Sequence, residues 1–323
     1  MTKQDLHVVF GSGQIGTRIA TQLLAAGKRV RVVSRKPSPP QGAEAAAADA
    51  RDQAAAAAAA IGATVLYDTT NPLYQHWKRD LLALGAGPLH AAKVTGAQLV
   101  ALDCLYMYGA PDGPMTETTP MLPVAKKGAL RKELAELRLG AVARGEAHVA
   151  IARASDFFGP GLPNSWWSER FFQRVLAGKA GECIGDPDQL HSYTYAEDVA
   201  RAMVALGGAP DVDGVWHVPT VRAETTRQLA DRVGKALDVK IALKPISRFT
   251  LRAIGLFAPF MGEVPEMMYQ FEMPYVLDDT KFRARFDLSP TPIDTQVADT
   301  VAWARRKLTL AASQARRTPR TAA

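Results

Sequence analysis

Three glycines near the start of the chain have the spacing of a phosphate-binding turn. They form G-x-G-x-x-G directly after the apolar run at residues 6–10. In such a turn the first glycine permits a tight bend, the second lets a pyrophosphate approach the backbone, and the third lets helix and strand pack closely. A helical pattern and a second strand follow, which favours a dinucleotide site over an ordinary turn. The predicted contacts are Gly11, Gly13, Gln14, Ile15 and Gly16.

The end of the second strand indicates which dinucleotide would bind. A site for NAD usually has Asp or Glu there, which accepts hydrogen bonds from the ribose 2′-OH. This chain has Ser34, Arg35 and Lys36 instead. Two cations beside a small hydroxyl suit a 2′-phosphate, because Arg holds phosphate oxygens with two donors. These residues predict NADP as cofactor rather than NAD. The alternative is that they form a solvated basic turn with no role in binding.

The elements around this turn alternate between strand and helix. Apolar runs at 63–67, 98–102 and 148–152 read as strands. Residues 45–60 read as an alanine-rich helix, 77–84 and 89–95 as two helices, and 127–143 as a long helix. This alternation predicts an α/β fold with a doubly wound parallel sheet. Ligands bind beyond the carboxyl ends of such strands, so these ends should converge. The polar residues expected there include Thr70, Asn71 and Ser155.

Composition excludes several classes of protein. The chain has 323 residues, 47% hydrophobic and 22% charged, as expected of a soluble globular protein with a large core. No apolar run reaches the roughly 18 residues of a membrane span, and the start leaves no room for a signal peptide. Two cysteines fit a reducing cytoplasm. Much of the net charge of +7 lies near the C-terminus, so we predict no nucleic-acid binding. Since no membrane span is found, we also predict no membrane binding.

The regular alternation ends near residue 156, which suggests two lobes. We expect residues 1–156 and 184–216 to form the dinucleotide-binding lobe. Residues 157–183 and 217–308 would form a smaller substrate-binding lobe, in which 217–280 shows little periodicity. The basic stretch 309–323 is predicted to be a disordered tail.

Several motifs together resemble the extended short-chain dehydrogenase/reductase family, also called NAD-dependent epimerase/dehydratase. The resemblance covers roughly residues 6–306 and implies a Rossmann fold with an enzyme's active site at the strand ends. In that pattern Asp49 would approach the adenine. The motifs that carry the resemblance are residues 11–16, 102–109, 153–161, 191–200, 279–282 and 300–303.

The positions that would be catalytic in that family depart from its pattern. The family uses Ser or Thr with Tyr-x-x-x-Lys, where the Tyr is the acid/base and the Lys holds the nicotinamide ribose. Cys104 stands at the Ser/Thr position, and a thiol is a poorer hydrogen-bond donor. In one helix register Gly128 replaces the Tyr and Lys132 is the Lys; in the other, Lys127 and Arg131 replace the pair. The catalytic Tyr is absent in both.

Two substitutes for that Tyr are open. Lys127 or Lys132 would act as acid/base if desolvation near other cations lowered its pKa. Alternatively, Tyr106 or Tyr193 would supply a phenol from another direction. Alternatively, Lys127, Arg131 and Lys132 only bind the ribose and phosphate of the cofactor, or they lie on a solvated helix face.

The residues expected near the substrate point away from nucleotide sugars. Sugar-nucleotide members of the family tend to have Arg, to hold a diphosphate, where this chain has His191. An apolar lobe with many aromatic residues favours a small, mostly apolar carbonyl, alcohol or enone. The predicted substrate contacts are Asp156, Phe157, Trp166, His191 and Tyr193.

Three functions are compatible with this sequence. The first is an NADP(H)-dependent oxidoreductase of atypical short-chain type. The second is a non-catalytic NADP(H) sensor, which loss of the Tyr favours, and the third is an epimerase or dehydratase with retained cofactor. The other histidines lack ligand spacing, so no metal is predicted. A homodimer through the helix at 127–143 is expected by analogy with the family.

Overall fold

The computed structural model describes residues 5–317 and contains a seven-stranded, all-parallel sheet. The strands of this sheet are β1 Leu6–Phe10, β2 Arg29–Ser34, β3 Glu44–Ala47, β4 Ala63–Asp68, β5 Gln98–Asp103, β6 Val149–Arg153 and β11 Gly214–His217. Short strands outside it are β7 Asp156–Phe158, β8 Gly181–Ile184, β9 Leu190–His191, β10 Tyr193–Tyr195, β12 Glu224–Thr225 and β13 Leu243–Ile246. The helices are α1 Gln14–Ala25, α2 Gln53–Ala59, α3 Trp77–Thr95, α4 Lys126–Ala143, α5 Glu169–Leu176, α6 Ala196–Gly207, α7 Thr226–Leu237, α8 Arg248–Gly255, α9 Pro259–Gly262, α10 Thr280–Phe286 and α11 Ile293–Arg317.

The order of the strands places a crevice beside the glycine turn. Neighbouring strands follow the order β11-β6-β5-β4-β1-β2-β3, so the chain reverses direction across the sheet between β1 and β4. All five residues of β1 are buried, because helices cover both faces of the sheet. Ligands of doubly wound folds bind at such a reversal. The predicted fold class is confirmed.

Two local predictions in the first half were wrong. The alanine-rich stretch 45–60 begins with strand β3, which pairs with β2 as the sheet's edge and precedes the shorter helix α2. The two helices expected at 77–84 and 89–95 are one helix, α3, with Pro88 inside. A Cβ on its Gly87 would lie 1.8 Å from the carbonyl oxygen of Ala50, so close packing on the neighbouring loop holds α3 together across the proline.

The second lobe contains more regular structure than its sequence suggested. Helix α7 begins with a capping box in which Thr225 and Gln228 satisfy each other's backbone N–H groups. This S/T-x-x-E/Q signal was readable in the sequence. Strand β13 pairs in parallel with β8, which ties residues 243–246 to 181–184. The division into two lobes at the predicted boundaries stays a proposal.

Helix α11 extends further than expected. It continues to Arg317, so residues 309–317 are helical and not a disordered tail. Leu308, Ala311 and Ala312 favour helix, which explains the extension. The rest of the predicted tail, residues 318–323, lies outside the described residues. Among residues 5–317, no helix is both long enough and apolar enough to span a membrane.

Candidate active site

The glycine turn after β1 has the shape that a pyrophosphate site requires. Gly11 has a φ of +105°, and a Cβ there would lie 2.6 Å from Oγ1 of Thr69. A Cβ on Gly16 would lie 2.0 Å from the carbonyl oxygen of Gly11. A Cβ on Gly13 would meet no described atom within 4 Å. The turn therefore combines a tight bend and close packing with an open face, and this geometry fits a phosphate group.

Several buried polar atoms at the same end of the sheet lack a hydrogen-bond partner in the described part of the chain. Two of them are Oε1 of Gln14, at the start of α1, and Oγ of Ser155, after β6. An unpaired buried oxygen costs roughly 1–3 kcal/mol, which donors on a bound group would offset. Ile15, in contrast, is buried in the core and contributes packing. The two unpaired atoms make the site suitable for a polar cofactor.

The basic residues after β2 are available to a ligand. Arg35 and Lys36 are exposed and form no ion pair with any residue between 5 and 317. The Ser34 hydroxyl accepts a hydrogen bond from that of Ser12, over 3.1 Å, which holds it beside the glycine turn. Asp49 is held by Arg51, whose hydrogen bonds lower the pKa of this carboxyl, and the charge of Arg35 lowers it further. Arg35 therefore lies close to the loop expected to receive the adenine.

Arg131 joins two strand ends at the centre of the candidate site. Its Nη2 donates to Oδ1 of Asn71, 2.6 Å away and just beyond β4, and its Nη1 donates to Oδ1 of Asp103 at the end of β5, 3.2 Å away. Its guanidinium also lies 4.4 Å from the ring centroid of Trp77. Thr70 donates instead to Asp68, so it secures the loop after β4.

The structure settles which register helix α4 presents to the site. Lys127 and Arg131, one turn apart, are both buried and face the strand ends. Gly128 packs against the carbonyl oxygen of Tyr106, from which a Cβ would be only 2.4 Å away, so no side chain fits there. Lys132 lies on the outer side of the helix and pairs with Glu136 over 3.8 Å. The candidate role of Lys132 is therefore corrected: the helix turns it away from the site.

Lys127 stands at the position of the family's Tyr and is neutralised by the second lobe. Its Nζ forms ion pairs with Glu263 and Glu266, and its side chain is 4% exposed. Nζ also lies 5.3 Å from the ring centroid of Tyr74. We call residues 259–271, which carry both carboxylates, the cover segment. Both carboxylates lie against Nζ, so the Lys127 side chain is engaged by the cover segment.

A pair of phenols lies beside these cations. The hydroxyl oxygens of Tyr74 and Tyr106 are 2.6 Å apart, and Tyr106 stacks on Trp77. Burial raises the pKa of Tyr106 well above its ordinary value, and burial likewise raises that of Tyr74. Both phenols are therefore protonated at neutral pH and able to donate a proton. Their rings, with Phe260 stacked on Tyr74, give the site an apolar wall.

Cys104 remains a thiol in this environment. Burial raises its pKa to about 12, although the charge of Arg131 opposes this shift. A thiolate nucleophile needs the opposite shift, so nucleophilic chemistry at Cys104 is disfavoured.

The buried His191 pairs with Asp156, which is half-buried. Nε2 of His191 lies 2.9 Å from Oδ2 of Asp156, and its Nδ1 lies 3.2 Å from the carbonyl oxygen of Gln270. The imidazole stacks on Phe271 at 4.3 Å between centroids and is 1% exposed. Both ring nitrogens are occupied, so His191 has no donor free for a diphosphate.

The other predicted substrate contacts point elsewhere. The Tyr193 hydroxyl bonds Thr226 over 2.8 Å, inside the second lobe, which corrects its candidate role as a phenol near Cys104. Trp166 and Tyr193 both line a small pocket of that lobe. Phe157 packs against the main core.

Two important side chains were not anticipated. Tyr74 and Trp77 lie in a stretch read as a turn and the start of a helix, although aromatic residues soon after a strand end were the available signal. The partners of Lys127 depend on a contact over more than 130 residues, which no local pattern reveals. Within residues 5–317, no group of three or more His, Cys, Asp or Glu side chains is placed to hold a metal ion.

A family model described as "NAD dependent epimerase/dehydratase family" matches residues 8–218. The match covers the whole parallel sheet except the first two residues of β1, and it includes α4. No curated protein matches the chain by sequence.

Solved structures share the fold at low sequence identity. A dTDP-glucose 4,6-dehydratase from Bacillus anthracis strain Ames, in complex with NAD, has a TM-score of 0.77 at 14% identity, over 94% of this chain and 97% of that one. A UDP-glucuronic acid 4-epimerase from Bacillus cereus, with UDP-glucuronic acid and NAD, has 0.76 at 16%, over 94% and 99%. A UDP-glucose 4-epimerase from Thermotoga maritima, with UDP-glucose, has 0.76 at 19%, over 94% and 99%. At these identities the similarity shows the fold.

Proposed function

The chain belongs to the NAD-dependent epimerase/dehydratase family, and we propose that it is an NADP(H)-dependent oxidoreductase that acts on a small, mostly apolar carbonyl, alcohol or enone. Membership confirms the resemblance read from the motifs, and with it an enzyme class that uses a nicotinamide dinucleotide. The preference for NADP and the substrate class are the parts we propose.

The residues around the turn would hold the cofactor. The amide of Gly13 and those of the first turn of α1 would receive the pyrophosphate, and Arg35 and Lys36 would receive the 2′-phosphate. A bound nicotinamide dinucleotide supplies or accepts a hydride. Arg131 stands one turn after Lys127, where the family has its Lys, and would hold the ribose.

The hydrogen-bonded phenols beside Arg131 carry the chemical part of the proposal. In the reducing direction Tyr106 donates its proton to the substrate oxygen, while the substrate carbon gains a hydride. Tyr74 returns a proton to Tyr106 through their 2.6 Å contact and is itself reprotonated from solvent. The positive charge of Arg131 stabilises the phenolate formed in between. In the oxidising direction the same protons move in reverse.

The surroundings of this pair support an apolar substrate. Aromatic rings of Tyr74, Trp77, Tyr106 and Phe260 surround the hydroxyls, and His191 is already engaged by Asp156. Lys127 is neutralised by its two carboxylates. A diphosphate would therefore find Arg131 alone, itself committed to Asp103 and Asn71.

Turnover with a substrate panel tests the proposal. Purified protein with NADPH is mixed with ketones, aldehydes and enones, and loss of the reduced-nicotinamide absorbance is followed. UDP-glucose and UDP-glucuronic acid with NAD form a second arm, because structural neighbours were solved with such sugars. Oxidation of NADPH by small carbonyls is expected. Epimerised sugar without turnover of the small carbonyls would overturn the substrate class, and NADPH binding without any turnover would favour a sensor.

A further inference from the structure

The most exposed apolar surface of the described residues lies on α8 and the turn that follows it. Phe249 is 80% exposed, Leu256 is 81% exposed and Phe257 is 92% exposed, and no other large apolar side chain among residues 5–309 exceeds 68%. The three lie within nine residues of one another. Single exposed apolar residues are ordinary, but a cluster of large ones marks a binding surface.

Helix α8 is held in place from its opposite side. Leu251 is fully buried in a cluster with Ile184, Val264, Met268 and Phe271. Phe249 and Leu256 are seven residues apart and therefore share a helix face, with Arg252 between them, while Leu251 points the other way. We call Phe249, Arg252, Leu256 and Phe257 the α8 surface. Leu251 therefore anchors the helix, while the apolar side chains of the α8 surface point outward.

The stretch of sequence that carries most of the α8 surface contains cations and no anions. Residues 239–262 contain four cations at four-residue intervals and no Asp or Glu. Arg248 pairs with Glu272. Lys240, Lys244 and Arg252 are exposed and form no ion pair with any residue in the described range 5–317. The partner of this surface should therefore be apolar and negatively charged.

We propose that the α8 surface docks on an anionic lipid bilayer. A short helix with large apolar side chains flanked by Lys and Arg has the chemistry of an element that lies in the interface between headgroups and acyl chains. Cations near an anionic leaflet each contribute about 1 kcal/mol to such binding. The docking is peripheral: it needs no membrane span, and it departs from the absence of membrane binding that the sequence predicts.

A second copy of the chain fits this surface less well. In a twofold dimer the surface would face its copy, which would bring Arg252, and Lys240 and Lys244 from the preceding stretch, towards the same three cations of the other copy. The C-terminal segment of the chain is also basic, with Arg316, Arg317 and Arg320, so it is repelled in the same way. An anionic bilayer satisfies both the apolar side chains and the cations.

The surface also adjoins the candidate active site. Phe260, three residues after Phe257, stacks on Tyr74 at 5.2 Å between ring centroids. A bilayer at α8 would thus contact the cover segment. If the proposed function holds, an apolar substrate dissolved in the bilayer would be released close to the phenols; the docking itself does not depend on any turnover.

Vesicle co-sedimentation of the full chain tests the docking. The probes are vesicles of phosphatidylcholine alone and of phosphatidylcholine with phosphatidylglycerol. We expect binding to the anionic vesicles that weakens with salt, and at least about tenfold weaker binding for Phe249→Ser/Phe257→Ser. The matched control is Ile61→Ser/Val94→Ser, which removes two apolar side chains that are 68% and 63% exposed elsewhere. A Lys244→Glu/Arg252→Glu variant should lose the preference for anionic vesicles.

Three results would overturn the proposal. One is absence of binding to either vesicle, and another is equal binding by wild type and the Phe249/Phe257 variant. The third is dimerisation in sedimentation velocity that the same variant abolishes, which would assign the surface to a second copy. The variant Arg316→Glu/Arg317→Glu/Arg320→Glu separates the contribution of the basic C-terminal segment, and circular dichroism verifies that each variant is folded.

Discussion

At the scale of single residues, the site replaces one Tyr by several side chains. The family's acid/base position holds Lys127, whose charge is satisfied by two carboxylates, and we propose that the proton-carrying role passes to Tyr106. The sequence identified Lys127, Arg131 and Tyr106 as candidates. It did not separate them, because the helix register depends on the close contact between Gly128 and the backbone of Tyr106.

Replacing Tyr106 by Phe removes the proposed proton donor and keeps the ring that stacks on Trp77. We expect kcat for carbonyl reduction to fall by about 10²–10⁴ with little change in NADPH affinity. Tyr74→Phe should have a smaller effect, because Tyr106 keeps its own proton. In the wild type the rate should not fall through loss of the Tyr106 proton below about pH 9, since burial raises its pKa.

The control for this series is Tyr195→Phe, whose hydroxyl bonds Asp299 away from the phenol pair. Steady-state kinetics with NADPH as the varied substrate separates kcat from KM. Full activity of the Tyr106 variant would remove Tyr106 from the mechanism.

At the scale of elements, the sequence predicted best where pattern and packing agree. The β1–α1–β2 unit was read almost residue by residue, because its apolar periods, its glycines and its burial all indicate the same structure. The sequence predicted two helices where the structure has α3, because proline usually ends a helix. The packing of Gly87 on Ala50, which accompanies the continuous helix, is a tertiary contact that the local pattern does not show. The cover segment was unreadable for a similar reason: its contact with α4 is entirely tertiary.

The ion pairs between Lys127 and the cover segment predict that removing the carboxylates destabilises the protein more than removing the ammonium. Glu263→Gln/Glu266→Gln leaves a buried ammonium with no carboxylate, which should cost about 3–5 kcal/mol of unfolding free energy. Lys127→Met removes the charge itself and should cost less, because Met fills much of the same apolar space. Urea unfolding measures both, and hydrogen exchange of residues 259–271 should be faster in both variants.

The same pair of variants distinguishes a positioning role for Lys127 from a catalytic one. In a positioning role, Lys127→Met keeps measurable turnover and changes exchange in the cover segment. Abolished turnover with unchanged exchange would instead make Lys127 the acid/base.

At the scale of the whole molecule, a buried histidine connects the edge of the sheet to two segments that are distant in sequence. His217, at the end of β11, accepts from Tyr108 at Nε2 over 2.7 Å and donates from Nδ1 to the carbonyl oxygen of Asp278 over 2.8 Å. This arrangement needs a neutral imidazole, and burial lowers the pKa of His217 to about 4. The nearby charges of Arg153 and Lys281 act in the same direction, while Asp278 opposes them.

The free energy of unfolding should therefore depend on pH through His217. Between about pH 4 and 6.5 the unfolded chain binds the proton and the folded protein does not, so stability rises with pH over this range. The contribution is complete above about pH 6.5 and amounts to at most about 3 kcal/mol. His217→Gln should flatten this part of the curve. The urea unfolding midpoint is measured from pH 4 to 7 for both proteins. The same change of midpoint with pH in wild type and variant would contradict the assignment.

Calorimetric titration of the purified protein with NADPH and with NADH tests the central claim most directly, namely that the turn at residues 11–16 and the cations after β2 hold a phosphorylated dinucleotide. NADPH should bind with a Kd in the micromolar range and at least about tenfold more tightly than NADH. Arg35→Ser/Lys36→Ser should remove that difference without weakening NADH. Tighter binding of NADH would contradict the proposed NADP specificity, and no heat from either dinucleotide at millimolar concentration would contradict the whole account.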